Sequence, residues 1–295
     1  MPRTDRREFL LLGAGLLLAG CTSSPEPRPS PRHSSSPSVP RPSTPGGGPT
    51  ATPSAPPLPP VSPWRPDPAD LSPRAKATAV RAIERRDADR GSVVQVLEAQ
   101  YGGLLADTVS VLVVTRSWHR RGRAVVSGGA TYDVRLSRTT AGWRVTAVHP
   151  SHPGAPHRST DEERRVLGSG RIDLPPAARA DVRSGRVHVS VLTALLRLSE
   201  RYRVGVSVVR SGHPLHVFGT DRLSDHPQGR AFDTFRVDGH LVVSRDTPRR
   251  LVTGYMEAAA AAGSYNVGGP YLLGQGPQWF SDATHHDHVH AGFTG

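Results

Sequence analysis

The sequence predicts an α+β protein with two small folded domains. The first is an N-terminal helix plus antiparallel sheet over residues 73–150, the second a helix-and-strand domain over residues 171–295. Three observations predict this. Helix-period apolar spacing after Ser72 gives way, beyond Gly102-Gly103, to short β-rich runs separated by Gly-containing turns. Past Arg171, apolar-striped helices alternate with short strands. Finally, 17 of the 29 prolines fall between Thr22 and Ser72, so that stretch is excluded from any core.

The remaining composition narrows the class. The chain has 295 residues, 36% of them hydrophobic, and no apolar run approaches the ~18–20 residues of a membrane-spanning helix. The longest, Phe9 to Ala19, follows Arg3, Arg6 and Arg7 and ends at Leu18-Ala19-Gly20-Cys21, the layout of an export signal over residues 1–20. Leu-Ala-Gly-Cys resembles a lipobox, which implies that Cys21 is acylated and holds the mature chain to the outer face of the cytoplasmic membrane. Arg6-Arg7-Glu8-Phe9-Leu10 resembles a twin-arginine motif. Residues 21–72 read as a Pro/Ser-rich disordered tether. Cys21 is the single cysteine, so disulfide frameworks and Cys-rich metal sites are excluded and any metal must use His and carboxylates.

In the first domain, Ala75, Ala77, Ala79, Val80 and Ile83 give one apolar helix face. A second helix is expected from Ser92 to Tyr101. Strands follow at Thr108–Trp118, Ala124–Ser137 and Trp143–Val148. This order resembles the cystatin-like or nuclear-transport-factor-like domains of envelope lipoproteins, and it carries no motif of its own. The net charge of +12 includes His119, Arg120, Arg121 and Arg123 at a hairpin tip, a candidate contact for anionic wall polymers. No aromatic stacking pattern accompanies these arginines, so nucleic acid is not an expected partner.

Residues 151–170 read as a linker, with a capping-box start at Thr160-Asp161-Glu162-Glu163. The second domain then offers a helix from His188 to Tyr202, a strand over Val204–Val209, and a hairpin of Ala231–Val237 with Leu241–Val243 about Asp238-Gly239. A helix from Pro248 through Ala262 follows, and then a last strand over Val289–Phe293.

Two segments here carry chemistry: Ser224-Asp225-His226-Pro227-Gln228-Gly229-Arg230-Ala231-Phe232-Asp233, and His285-His286-Asp287-His288-Val289-His290. A catalytic zinc takes three His or carboxylate ligands and keeps an open position. His226, Asp233 and His290 supply such a set, two from a turn and its strand and one from a distant strand. Ser-x-His-x-x-Gly-x-Ala-x-Asp with a late Asp-x-x-His resembles the zinc D-alanyl-D-alanine carboxypeptidase family, whose relatives include D-Ala-D-Ala dipeptidases, L-alanyl-D-glutamate endopeptidases and the hedgehog-type fold. The resemblance covers about residues 171–295. It implies a hedgehog/DD-peptidase-like zinc domain, Zn2+ on His226, Asp233 and His290, and Asp287 in the place of the catalytic acid. His288 then stabilises charge in the intermediate, and Ser224 falls among the substrate-binding residues. The implied substrates are peptidoglycan stem peptides.

One departure affects specificity. Relatives carry Ser-Gly-Tyr-Arg before the first motif, whereas this chain has Ser211-Gly212-His213-Pro214, so Arg210 or Arg222 is left to read a substrate carboxylate. His213, His216, His285 and His286 are expected outside the ligand set, with His285 a supporting partner. Amide hydrolysis is the leading expectation. A non-catalytic wall-binding or envelope-assembly lipoprotein with the same fold is the rival.

Overall fold

In a computed structural model of the chain, residues 56–88 and 90–295 are described. The export signal, Cys21 and most of the expected tether lie outside them. The first helix, α1 (Pro73–Ala88), buries Ala75, Ala79, Val80 and Ile83, a 3–4 residue spacing that forms one stripe. Its N-terminus is set by Ser72, whose carbonyl accepts from the Ala75 and Lys76 N–H groups. The stripe packs on a five-stranded antiparallel sheet made of β1 (Ser92–Leu104), β2 (Thr108–Arg121), β3 (Ala124–Gly128), β4 (Thr131–Thr139) and β5 (Gly142–Pro150). Its order is β1-β2-β4-β5, with β3 also on β2.

The helix expected over Ser92–Tyr101 is instead the strand β1, paired with β2 from Ser92↔His119 to Leu104↔Val109. Val93, Val94 and Val96 are β-branched and weak helix formers, and a long partner strand is available, so pairing overrides the helical spacing. The single strand expected over Ala124–Ser137 is two, broken at Gly129. There φ is 154°, and a Cβ would stand 2.2 Å from the Thr115 carbonyl oxygen. Both pieces lie along one edge of β2, with Ser117 opposite Gly128 and Val114 opposite Thr131. The His119–Arg123 cluster caps this hairpin, which turns through Gly122 and Arg123.

β2 is buried on both faces. Val109, Val111 and Val113 meet α1, while Leu112 and Val114 meet Val208 of the second region. The described residues thus make one compact unit, in which the two regions expected as separate domains share an interface. The expected linker contributes α2 (Asp161–Gly168), whose capping box pairs Thr160 with Glu163 and whose Val166 enters the larger core.

That core lies under a second, mixed sheet of β6 (Ile172–Asp173), β7 (Val204–Val208), β8 (Ala231–Val237), β9 (His240–Leu241), β10 (Asn266–Gly268), β11 (Trp279–Phe280) and β12 (Val289–Gly292). The order is β11-β10-β12-β8-β7-β6, with β9 on β8. Three helices accompany it: α3 (Pro176–Arg183), α4 (Val189–Arg201) and α5 (Arg249–Ala261). α4 starts where His188 accepts from the Ser190 N–H, and it buries Val191, Leu192, Leu195 and Leu198. α3 was not anticipated, although Pro176 in its first turn is a helix-start signal. Among the described residues, no helix is long and apolar enough to cross a membrane.

Candidate metal centre

β12 sits in the interior of this sheet, between β10 and β8, and brings His290 directly opposite Asp233 of β8. His226 reaches the same point from the loop that precedes β8. That loop reverses at Gly229, where φ is 71° and the N–H donates to the His226 carbonyl at 2.8 Å. A Cβ at Gly229 would stand 2.0 Å from the Arg186 carbonyl oxygen, so only glycine fits.

Three ligand atoms converge there. His226 Nε2 lies 3.1 Å from Asp233 Oδ1 and 3.2 Å from His290 Nδ1, and His290 Nδ1 lies 3.1 Å from Asp233 Oδ1. A tetrahedral ion with bonds of ~2.0–2.1 Å has ligand–ligand edges of about 3.3 Å, so the triangle has the size of a zinc face. The donor chemistry agrees. His226 Nδ1–H donates to the Val209 carbonyl at 2.8 Å, which aims Nε2 at Asp233 Oδ1 and His290 Nδ1. Nε2 and Asp233 Oδ1 lie 3.1 Å apart, and a cation on their line, a proton or a metal ion, satisfies both.

His213 adds a fourth side chain. Its ring stacks on His226 with centroids 4.1 Å apart, and His213, His226 and Asp233 each bring a ligand atom within 4.8 Å of the others. This group can hold a metal ion. His213 had been expected outside the ligand set, whereas its ring lies against His226 and its ligand atom falls within the group that can hold a metal ion.

Electrostatics keep these groups in ligating form. Burial pulls the His213 imidazole well below its ordinary range, with His226 adding to the effect, and burial brings His290 down to about 4. Both rings are neutral at pH 7. Burial alone would raise the Asp233 carboxyl, but His226 and His288 outweigh it and hold the group well below the usual carboxylate range.

Asp287 occupies the turn just before β12, and its side chain points into the first region. Its Oδ2 accepts from the Tyr101 N–H at 3.0 Å and pairs with Lys76 Nζ at 2.7 Å, while Oδ1 lies 2.7 Å from His288 Nδ1. Burial is again outweighed, by Lys76 first and then by His288, and Asp287 stays ionised. Asp287 does not line the open cleft; His288 does. The Nε2 of His288 stands 3.8 Å from Asp233 Oδ1, on the edge of the ligand triangle. Burial opposes protonation of this ring, but Asp233 and Asp287 together raise its affinity for a proton.

The cleft above the triangle holds about 610 Å3. Its walls include Arg222, Ser224 and Phe280 from the second region and Tyr101, Leu104 and Leu105 from the first. Ser224 Oγ accepts from the His226 N–H and lies 3.4 Å from His213 Nδ1. The two candidate arginines part company. Arg222 lines the cleft, whereas Arg210 lies 3.8 Å from Asp181, donates to the Pro153 carbonyl and faces another cavity. His285 is held by Asp282 at 2.8 Å, with its ring 5.0 Å from His288. His286 donates to the Ala69 carbonyl, and His216 is exposed outside the site.

Three residues from the first region were missed in the sequence: Lys76, Gln100 and Tyr101. Gln100 Nε2 donates to Asp233 Oδ2 at 2.5 Å, and its own carbonyl accepts from the Ser207 hydroxyl. Lys76 is only 1% exposed and also pairs with Asp70. Burying an ammonium costs several kcal/mol unless carboxylates surround it, and here two do. One signal was available: Lys76 is the only lysine among 37 basic side chains, and it falls inside the apolar part of a helix. In comparisons with known proteins, the chain matches no family model, no curated protein and no solved structure.

Proposed function

We propose that the chain is a zinc-dependent peptidase of the D-alanyl-D-alanine carboxypeptidase type, acting on D-amino-acid-containing peptides of peptidoglycan. The observation that carries this reading is the triangle of His226 Nε2, Asp233 Oδ1 and His290 Nδ1, with edges of 3.1–3.2 Å, open to a cleft and flanked by His288. The motif spacing supports the same ligands. A bound zinc supplies a Lewis acid for the scissile carbonyl and lowers the pKa of its water.

The chain's own residues divide the remaining work. Asp287 holds His288 through Nδ1, so Nε2 is the atom that takes a proton from water and returns it to the leaving amine. This assignment replaces the expectation that Asp287 moves the proton, because both of its oxygens already have partners. Arg222, at the cleft wall, is the candidate reader of a substrate carboxylate. In this reading Cys21 is lipidated, the protein works outside the cytoplasmic membrane, and the arginines at the β2–β3 turn meet anionic wall polymers.

The test is incubation of the zinc-loaded full chain with muropeptides, followed by mass analysis. Release of a D-amino acid or a shortened stem peptide is expected, and His288→Ala should lower the rate by roughly 10²–10⁴-fold while keeping zinc. A second reading, a wall-binding module that holds peptide without cutting it, is favoured by one observation: the carboxylate in the catalytic position of the motif is locked by Lys76. Peptide retention with unchanged masses would establish it in place of the peptidase.

A further inference from the structure

We propose that the helix-and-sheet region is part of the metal centre, with Gln100 and Lys76 as its positioning residues. Gln100 makes Asp233 a one-oxygen ligand, and Lys76 fixes Asp287 so that its free oxygen orients His288. The inference rests on the metal-centre reading and deepens it.

Asp233 has two oxygens and the triangle uses one. A carboxylate free to rotate can close on a metal with both oxygens, filling the position that a reacting molecule needs. Oδ2 is withheld by Gln100 Nε2 at 2.5 Å. The amide cannot flip, because its carbonyl oxygen would then face the Asp233 carboxylate; as placed, that oxygen accepts from the Ser207 hydroxyl, which holds the amide in register. Both Gln100 and Ser207 are fully buried, so water does not substitute for either.

Asp287 repeats the pattern with a charge. Its Oδ2 receives the Tyr101 N–H and the Lys76 ammonium, which leaves Oδ1 for His288 Nδ1. Lys76 is steered from two sides, by Asp70 and by the Tyr101 ring 4.4 Å away. Lysine suits this place because it offers a compact point charge rather than a planar fork. Carboxylate–histidine support of this kind typically alters metal affinity or activity by 10–100-fold when removed.

Cobalt(II) loaded into the full chain in place of zinc tests the Gln100 half. Gln100→Leu should weaken cobalt binding by about 10–100-fold in chelator competition and shift the visible spectrum towards weaker, higher-coordinate bands. If Gln100→Leu unfolds, Ser207→Ala leaves Gln100 in place and should move the spectrum in the same direction. For the Lys76 half, nitrogen NMR of histidine-labelled, zinc-loaded protein should report His288 with its proton on Nδ1 in the parent and a mixture of tautomers in Lys76→Met, with the metal retained. A parent that binds cobalt while Gln100→Leu or Ser207→Ala keeps its affinity and spectrum overturns the first half; an unchanged His288 signal in Lys76→Met overturns the second. A parent that takes up no cobalt overturns the metal centre and this proposal with it.

Discussion

Lys76 and Gln100 in the first region are buried as deeply as His226 and Asp233 in the second, each at 1% exposure or less. Their partners differ in kind. Every polar atom that Lys76 and Gln100 aim at the second region meets a group of opposite character: ammonium against carboxylate, amide N–H against carboxylate, amide carbonyl against hydroxyl. At His226, Asp233 and His290 three atoms of ligand type instead face one another within 3.1–3.2 Å. Burial of polar groups therefore marks the structural support and the centre equally. Convergence of several ligand-type atoms on one point is what separates them.

The sharpest way to break this contrast is to empty the second set. His226→Ala or His290→Ala should abolish stoichiometric zinc in metal analysis of the purified chain, an affinity loss of roughly 10³-fold or more, while circular dichroism stays native. Retention of one zinc by both variants would leave His213 with the remaining groups as the working ligands. Removing the first region altogether is the next largest change. Residues 151–295 made alone, which keep α2 and its Val166 in the larger core, should bind zinc about 10–100-fold more weakly than the whole chain, because Asp233 and Asp287 lose Gln100, Lys76 and the Tyr101 N–H. Equal affinity in calorimetry would reduce the first region to an attachment.

Stability measurements sharpen the contrast further. Leu112 is fully buried between the regions, so Leu112→Ala should cost about 2–4 kcal/mol in urea unfolding. Fluorescence and metal release should still follow one transition, and two separated transitions would show the regions unfolding independently. The smallest expected effect is a pH slope. Burial pushes Glu98, beside Lys76 and Asp287, up to about 7. Stability held by its protonated form is fully present below its ordinary carboxyl range and lost as pH rises through about 7. Glu98→Gln should therefore raise Tm by ~2–4 °C at pH 8 and change little at pH 4, and equal Tm shifts at the two pH values would refute the assignment.

How much of this was legible in the sequence follows from where the signals lie. His226, Gly229 and Asp233 sit within eight residues, so loop geometry and ligand spacing are local and readable. α1, α4, α5 and the core of β8 followed from periodicity for the same reason. β1 did not, since Ser92–Tyr101 fits a helix until the 14-residue β2 is there to pair with it. The support from Lys76 and Gln100 was invisible because it joins positions more than 100 residues apart, and neither residue type suggests a metal site. The direction of Asp287 likewise depended on a helix near the other end of the described chain. α3 is the reverse case, since its start signal, Pro175-Pro176, is local to the sequence.

The interior place of β12 in the second sheet sets an order of events. β12 follows every other described strand in the chain, yet it fills the gap between β10 and β8 and carries His290, with Asp287 and His288 just before it. Contacts between residues this remote are slow to form, because a long loop must close before they return any stabilisation. During synthesis the first sheet and α1 can assemble early, while β8 waits with an open edge and two of the three ligands. In the proposed centre His290 arrives only with insertion of β12, after His213, His226 and Asp233 are in place, and a chain stalled before that step would display an unpaired strand edge, the kind of surface that recruits other chains.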